Sequence, residues 1–111
     1  MVAATGRRKT IEVYVGRAEK QALKEVAARR RQSVKSIVEA WLLPQIRRID
    51  RRGHAVRIDP AKRPLPRVRV SRHVVSLQIF QRLRFEAARR RMSLPGLLYS
   101  LIAPELRRII R

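Results

Sequence analysis

The feature that most constrains this chain is an internal repeat with a spacing of sixty residues. The segment AARRRQS, residues 27–33, returns as AARRRMS, residues 87–93. When Thr10–Arg51 is aligned with Val70–Arg111 without a gap, 14 of the 42 pairs are identical, and they include a proline and a serine as well as arginines. A repeat of about 40 residues cannot bury its apolar face alone, so we expect the two copies to share one core.

Each copy is predicted to form a strand, a helix, a bend and a second helix. In the first copy, TIEVYV places Ile11, Val13 and Val15 on one face, which is typical of a half-buried strand. An apolar stripe predicts the first helix over 17–31, and Ser33 suits the N-cap of the second. Apolar residues recur at three- and four-residue steps in that second helix: Val34, Ile37, Val38, Trp41, Leu42, Ile46 and Ile49.

The strand of the second copy, within RVRVSRHVV, has an ambiguous register. Val68 and Val70 suggest one inward face, whereas the repeat alignment directs residues 71, 73 and 75 inward. A bulge would reconcile the two patterns; alternatively, the strand is short and starts after Val70. Prolines stand at matching positions of the two second helices, and we expect a kink or break at Pro44 and a break at Pro104.

The charge balance favours a polyanionic partner. The chain carries 28 Lys and Arg against 8 Asp and Glu, a formal net charge of +20, yet 45% of its residues are hydrophobic. That apolar content is too high for a disordered basic tail, so we expect a folded protein whose positive field concentrates nucleic acid.

Other classes of function lack the residues they need. There is no cysteine, and His54 and His73 have no neighbouring ligand, so no metal or cofactor is expected. No apolar run approaches the ~18 residues of a membrane span, and the N-terminus lacks the apolar segment of a secretory signal. We therefore expect a cytoplasmic, nucleoid- or plasmid-associated protein. No nucleophile and base are spaced for catalysis, so an enzyme is not expected.

The composition also predicts the boundaries of the chain's parts. Residues 1–9 are expected to form a flexible basic arm that ends in Arg7, Arg8 and Lys9, either solvated or lying along a DNA backbone. Residues 10–49 form the first unit and residues 67–111 the second. Between them, residues 50–66 contain one glycine and three prolines, which predicts a semi-extended linker.

This layout resembles the ribbon-helix-helix (MetJ/Arc) superfamily. The resemblance implies a mainly α fold with a two-stranded antiparallel β-ribbon, here a single-chain pseudo-dimer. Tandem units also resemble the accessory proteins of conjugative relaxosomes. Both copies depart from the family in carrying arginine at the bend, where glycine is common, and Gly16 and Ser76 where proline is common. The matching residues are TIEVYV, Leu23, Val26, Ala27, Ser33, Ile37, Val38, Trp41 and Leu42, and in the second copy Leu83, Ala87, Ser93, Leu97, Leu98, Leu101 and Ile102.

In that superfamily the ribbon enters the DNA major groove and the second helix holds a phosphate at its N-terminus. Physical principles agree, because a β-ribbon fits the major groove and helix N-termini favour anions. The resemblance makes the base-reading residues Thr10, Glu12, Tyr14, Arg69, Arg72 and Val74, with Val70 replacing Arg69 in the other register. Glu12 would either accept from a cytosine or pair with Arg72 across the ribbon. The phosphate-binding residues would be Arg30, Arg31, Ser33, Val34, Lys35, Arg90, Arg91, Ser93 and Leu94.

The resulting hypothesis is sequence-selective binding of double-stranded DNA, as a transcriptional repressor or a relaxosome accessory factor. Because the two strands differ, the site should not be a palindrome. Other DNA-processing or transcription proteins are further expected partners, and further assembly on DNA is left open. The alternatives are a non-specific nucleic-acid-coating protein and an antitoxin; the second is disfavoured because family antitoxins usually append a toxin-binding tail, whereas this chain stops at Arg111.

The shared core leads to a prediction about stability. Since both halves of the core lie in one chain, the monomer should fold without a partner. The midpoint of equilibrium unfolding by urea should therefore not change with protein concentration. A midpoint that climbs steeply over a hundredfold range of concentration would contradict a single-chain pseudo-dimer.

Overall fold

The structure, a computed structural model, describes residues 7–52 and 68–110. Within these residues, four helices and a two-stranded antiparallel sheet form a mainly α fold. The elements are β1 (Arg8–Val15), α1 (Arg17–Arg30), α2 (Val34–Arg52), β2 (Val68–Ser76), α3 (Leu77–Arg89) and α4 (Leu94–Ile109). This order, with β1 paired to β2, fits two tandem ribbon-helix-helix units, as predicted.

The element boundaries differ from the expected ones at two places. β1 begins at Arg8, so Arg8 and Lys9 belong to the strand and not to a flexible arm. α2 continues to Arg52, past the predicted start of the linker at Asp50. The rest of the predicted arm, residues 1–6, and the rest of the linker, from residue 53, lie outside the described residues.

The predicted breaks at Pro44 and Pro104 are wrong, and the alternative of a kink at Pro44 stays a prediction. α2 runs without interruption through Pro44, and α4 runs through Pro104. Each proline removes one backbone donor, but both are exposed, and the helix on either side is anchored by buried residues. Burial of a large aliphatic side chain is worth about 1.5–3 kcal/mol, so the flanking pairs hold each helix together. The pairs are Leu42 with Ile46 and Ile102 with Leu106.

The pairing of β1 with β2 confirms the predicted bulge. Glu12 lies opposite Arg72 and Val13 opposite Ser71, but Tyr14 lies opposite Arg69, so Val70 is the extra residue. On the side of the bulge that follows Val70, residues 71, 73 and 75 point into the core, as the repeat alignment predicted. Glu12 and Arg72 are equivalent positions of the repeat, so the pseudo-two-fold axis of the chain passes between them.

The two copies interlock in one core. α4 of the second copy packs against β1 of the first, and α2 of the first packs against β2 of the second. Polar contacts also join the copies: the Tyr99 hydroxyl donates to Glu19 Oε2 over 2.6 Å, and Arg82 Nη2 donates to the Asp50 carbonyl over 3.1 Å. Nineteen buried apolar residues form one cluster drawn from all six elements, so neither copy has a separate core.

Both bends place an arginine in the left-handed region. Arg31 has a φ of 54° and Arg91 a φ of 57°. In each bend the arginine amide donates to the carbonyl three residues earlier, and the next amide donates to the carbonyl of Ala27 or Ala87. This is a Schellman arrangement, which usually carries glycine at this position because glycine lacks a Cβ.

A glycine at this position should therefore stabilise the fold. Arg31→Gly is expected to raise the free energy of unfolding by up to about 1 kcal/mol, because relief of the left-handed conformation exceeds the extra chain entropy of glycine. The matched control Lys24→Gly, at an exposed site inside α1, should instead lower it by about 1 kcal/mol. Chemical denaturation measures both, and equal destabilisation by the two substitutions would contradict the strain assigned to Arg31.

Candidate nucleic-acid interface

The outward face of the ribbon carries the predicted base-reading side chains. Thr10, Arg69 and Arg72 are exposed, Val74 is 58% exposed, and Glu12 and Tyr14 are half-buried. With the bulge at Val70, Arg69 and not Val70 belongs to this exposed set. The face therefore offers hydroxyl, guanidinium and methyl groups. β1 and β2 contribute different groups to it.

Glu12 lies at the centre of this face and accepts hydrogen bonds from three neighbouring side chains. Its Oε2 accepts from Arg69 Nη1 over 2.8 Å and from Arg72 Nε over 3.1 Å. Its Oε1 accepts from the Tyr14 hydroxyl over 3.0 Å. The expected alternative, that Glu12 pairs with Arg72 across the ribbon, is thus observed, and the bulge adds Arg69 to the same carboxylate.

The cluster changes the acidity of two of its members. Hydrogen bonds from Arg69 and Tyr14 hold the pKa of Glu12 below its ordinary value, and Arg72 lowers it further. The same bond to Glu12 raises the pKa of Tyr14, because ionised Tyr14 could no longer donate. At neutral pH the carboxylate is therefore ionised and the phenol is protonated.

Serine caps the second helix of each copy, as predicted. Ser33 Oγ accepts from the Ser36 amide over 3.0 Å, and Ser93 Oγ accepts from the Gly96 amide over 3.1 Å. The caps leave the amides of the first two helical residues without an intrahelical partner. These amides are those of Val34 and Lys35 in α2, but only that of Leu94 in α4, because Pro95 has no N–H.

A groove connects the ribbon face with the N-terminus of α4. It is lined by Thr10, Ile11, Glu12, Tyr14, Arg72, Leu94 and Pro95. By the pseudo-two-fold relation, the N-terminus of α2 lies on the other side of the ribbon. The groove thus brings Leu94, from the predicted phosphate-binding set, next to four of the predicted base-reading residues, Thr10, Glu12, Tyr14 and Arg72.

The bend of the first copy, Arg29–Lys35, is a cluster of exposed cations. Arg29, Arg30, Arg31 and Lys35 are all exposed. Within the described part of the chain, none of them forms an ion pair. The arginine pair predicted to bind phosphate, at positions 30 and 31, is therefore extended by Arg29, which the sequence reasoning left out.

The bend of the second copy, Arg89–Pro95, contains an acidic partner that the sequence reasoning missed. Glu86 is fully buried, and its Oε2 accepts from Arg89 Nη2 over 2.7 Å and from Arg90 Nε. Burial opposes ionisation of Glu86, but the bonds from the two arginines outweigh it and lower its pKa. The signal was present in the sequence, since Glu86 stands three and four residues before the arginines and aligns with Val26.

Of the three basic residues predicted for the arm, Arg8 and Lys9 belong to the ribbon and Arg7 directly precedes it. Arg8 has the same strand parity as Thr10, so it extends the outward face. Lys9 lies over the ring of Phe80 at 5.8 Å from its centroid, a favourable cation–π distance. The Leu77 amide donates a hydrogen bond to the Arg7 carbonyl, so Arg7 lies at the start of α3.

The shared core contains a chain of polar groups, between β2 and α2, that the sequence reasoning did not expect. His73 Nε2 lies 2.8 Å from Ser71 Oγ, and His73 Nδ1 lies 3.2 Å from Glu39 Oε2. The expectation that no nucleophile and base are spaced for catalysis stays a prediction. Ser71 and His73 are 7% and 4% exposed, so the chain of bonds mainly satisfies buried polar groups.

Among residues 7–52 and 68–110, no three His, Cys, Asp or Glu side chains lie together as metal ligands would. None of the helices in these ranges is long and apolar enough to span a membrane.

Comparison with protein families, with curated proteins and with solved structures found no significant match to the chain.

The Glu12 cluster yields a prediction about titration. Because the bond from Arg69 contributes most to the low pKa of Glu12, Arg69→Ala should raise that pKa more than Arg72→Ala does. A group with a lowered pKa stabilises the fold above its unfolded pKa of about 4.3 and loses that contribution as pH falls through the folded pKa. Carboxyl NMR titration would measure this, with Arg84→Ala as the control. A Glu12 pKa that is the same in all variants would contradict the cluster.

Proposed function

We propose that this protein binds double-stranded DNA sequence-selectively, with the β1–β2 ribbon in the major groove. The observation that carries the proposal is the outward ribbon face, on which Arg69, Arg72 and Tyr14 converge on one carboxylate. A two-stranded ribbon has the width of the major groove, where base edges present a distinct pattern for each base pair. The element order, which fits tandem ribbon-helix-helix units, supports the proposal, and we infer membership of that superfamily.

The chemistry of the face suggests what it reads. Arginine can donate two hydrogen bonds to guanine O6 and N7, and an exposed valine can contact a thymine methyl group. Glu12 orients both arginines before binding, so they lose less side-chain entropy in the complex. It also leaves each guanidinium with N–H groups that Glu12 does not use, and these can donate to a base.

The surroundings of the ribbon supply affinity. The chain carries a net charge of +20, and serine-capped helices begin on both sides of the ribbon. Helix N-termini bind phosphate through free amides and the helix dipole. Contacts with phosphate position a protein on the duplex, whereas contacts with bases select the sequence.

The two strands differ at every outward position, and this asymmetry bears on the kind of site. A homodimeric ribbon presents the same residues twice and matches a palindrome. This ribbon presents Thr10, Glu12 and Tyr14 on one strand and Arg69, Arg72 and Val74 on the other. We therefore propose a non-palindromic site, read by a transcriptional repressor or a relaxosome accessory factor.

A second candidate is a nucleic-acid-coating or architectural protein that works through charge alone. The same positive charge favours it, because neutralising phosphates releases counterions whatever the sequence. Both candidates predict an affinity that falls by about 10³ between 50 and 200 mM salt if six phosphates are contacted. Salt dependence therefore tests DNA binding, and the ribbon residues distinguish the candidates.

The test is selection of binding sites from random duplex DNA, followed by variants measured on the selected site and on a random duplex. Arg72→Ala and Tyr14→Ala should each lower the ratio of the two affinities, by about tenfold for a lost bidentate contact to guanine. Arg48→Ala removes the same charge as Arg72→Ala from the exposed C-terminal part of α2 and should leave the ratio unchanged. If the protein binds duplex DNA but no site is selected, or if all three variants keep the wild-type ratio, sequence-selective binding is wrong and the coating function is favoured instead.

A further inference from the structure

The two bends of the repeat have nearly the same sequence but different electrostatic environments. In the first bend, Val26 is buried beneath Arg29 and Arg30, and neither arginine forms an ion pair within the described residues. In the second bend, Glu86 takes the place of Val26. Its carboxylate binds both Arg89 and Arg90 and is itself fully buried.

The ion pairs limit what the second bend can offer to a phosphate. The Arg89 side chain is 44% exposed and the Arg90 side chain only 23% exposed. A buried carboxylate that lost these partners would be left charged and unpaired, at a large cost. The two arginines are therefore held by Glu86, and the negative charge of Glu86 offsets half of their positive charge.

The helix N-termini that follow the bends also differ, and α2 again offers more groups to a phosphate than α4 does. α2 begins with Val34 and Lys35, which supply two amides and an exposed ammonium group. α4 begins with Leu94 and Pro95, which supply one amide and no charge. Leu94 and Pro95 are also the residues that line the groove beside the ribbon on that side.

We propose that the protein binds the DNA backbone unequally, with the first bend as the main phosphate clamp and the second bend restrained by Glu86. The inference rests on the proposed function and adds that the two copies contact the DNA backbone unequally. The first copy supplies most of the phosphate contacts, so the protein is anchored on one flank of its site. The second copy contributes mainly its ribbon strand and the shape of its groove.

The experiment uses the full-length chain and a labelled random-sequence duplex of 30 base pairs, at several salt concentrations. Arg29→Ala with Arg30→Ala should weaken binding and reduce the slope of log affinity against log salt by about 1.8, the value for two phosphates. Arg47→Ala with Arg48→Ala removes the same charge about 20 Å along the axis of α2 from its N-terminus. This control should change the slope much less.

The second arm of the experiment releases the arginines of the second bend. Glu86→Val installs the residue of the first copy and should strengthen binding and steepen the salt slope, by up to about 1.8 if both arginines reach phosphates. Adding Arg89→Ala and Arg90→Ala to Glu86→Val should return the slope to that of the wild type. Glu86→Gln keeps the side-chain volume and should act in the same direction if the valine variant folds poorly. Glu25→Gln makes the same change of net charge at an exposed site of α1 and should have little effect.

The outcomes separate this inference from the proposed function. If the wild-type chain fails to bind the duplex at 50 mM salt, the proposed function is wrong. If it binds and Glu86→Val or Glu86→Gln behaves like Glu25→Gln, only the restraint by Glu86 is wrong. A loss of affinity in these Glu86 variants would show that the ion pairs prepare the arginines for DNA, and it would also overturn the inference.

Discussion

The antiparallel pairing of β1 with β2 is the interaction on which the rest of the molecule depends. It joins segments sixty residues apart and sets each strand against the second helix of the other copy. This exchange, together with direct packing of α2 on α3 and α4, makes the core continuous. The same pairing directs one row of side chains outward, and the bulge at Val70 brings Arg69 level with Tyr14. One strand register therefore determines both how the helices pack and which side chains face outward.

Much of this architecture was predictable because it follows from patterns within each segment. Alternation identified the inward face of β1, and three- and four-residue steps identified the buried face of α2. The helix ends were less predictable at the prolines, because the local cost of Pro44 and Pro104 is opposed by packing that a single segment does not reveal. The repeat supplied the missing long-range information, since only alignment with β1 favoured Ser71 and His73 as inward residues.

The candidate site was predictable in position but not in its internal contacts. Outward residues follow from strand parity, and both serine caps follow from their place before an apolar helix. The pair of Glu12 with Arg72 was an expected alternative, whereas the bond from Arg69 depends on the bulge, which strand parity alone does not locate. Glu86 was unpredictable for another reason: glutamate is usually exposed, and only the repeat alignment, which sets Glu86 opposite the buried Val26, indicates that it is buried.

The Ser71–His73–Glu39 chain, in which the serine and the histidine are buried, shows what two units in one chain permit. In a symmetric homodimer every substitution occurs twice, so a histidine at this strand position would enter the core from both strands and need two carboxylate partners. In the fused chain the equivalent residues of β1 are Ile11 and Val13, and both remain apolar. The inward side chains of β1 at these positions are thus purely aliphatic, whereas those of β2 form hydrogen bonds that connect the strand to α2. Duplication in one chain lets the two halves acquire different interiors without doubling the energetic penalty of each change.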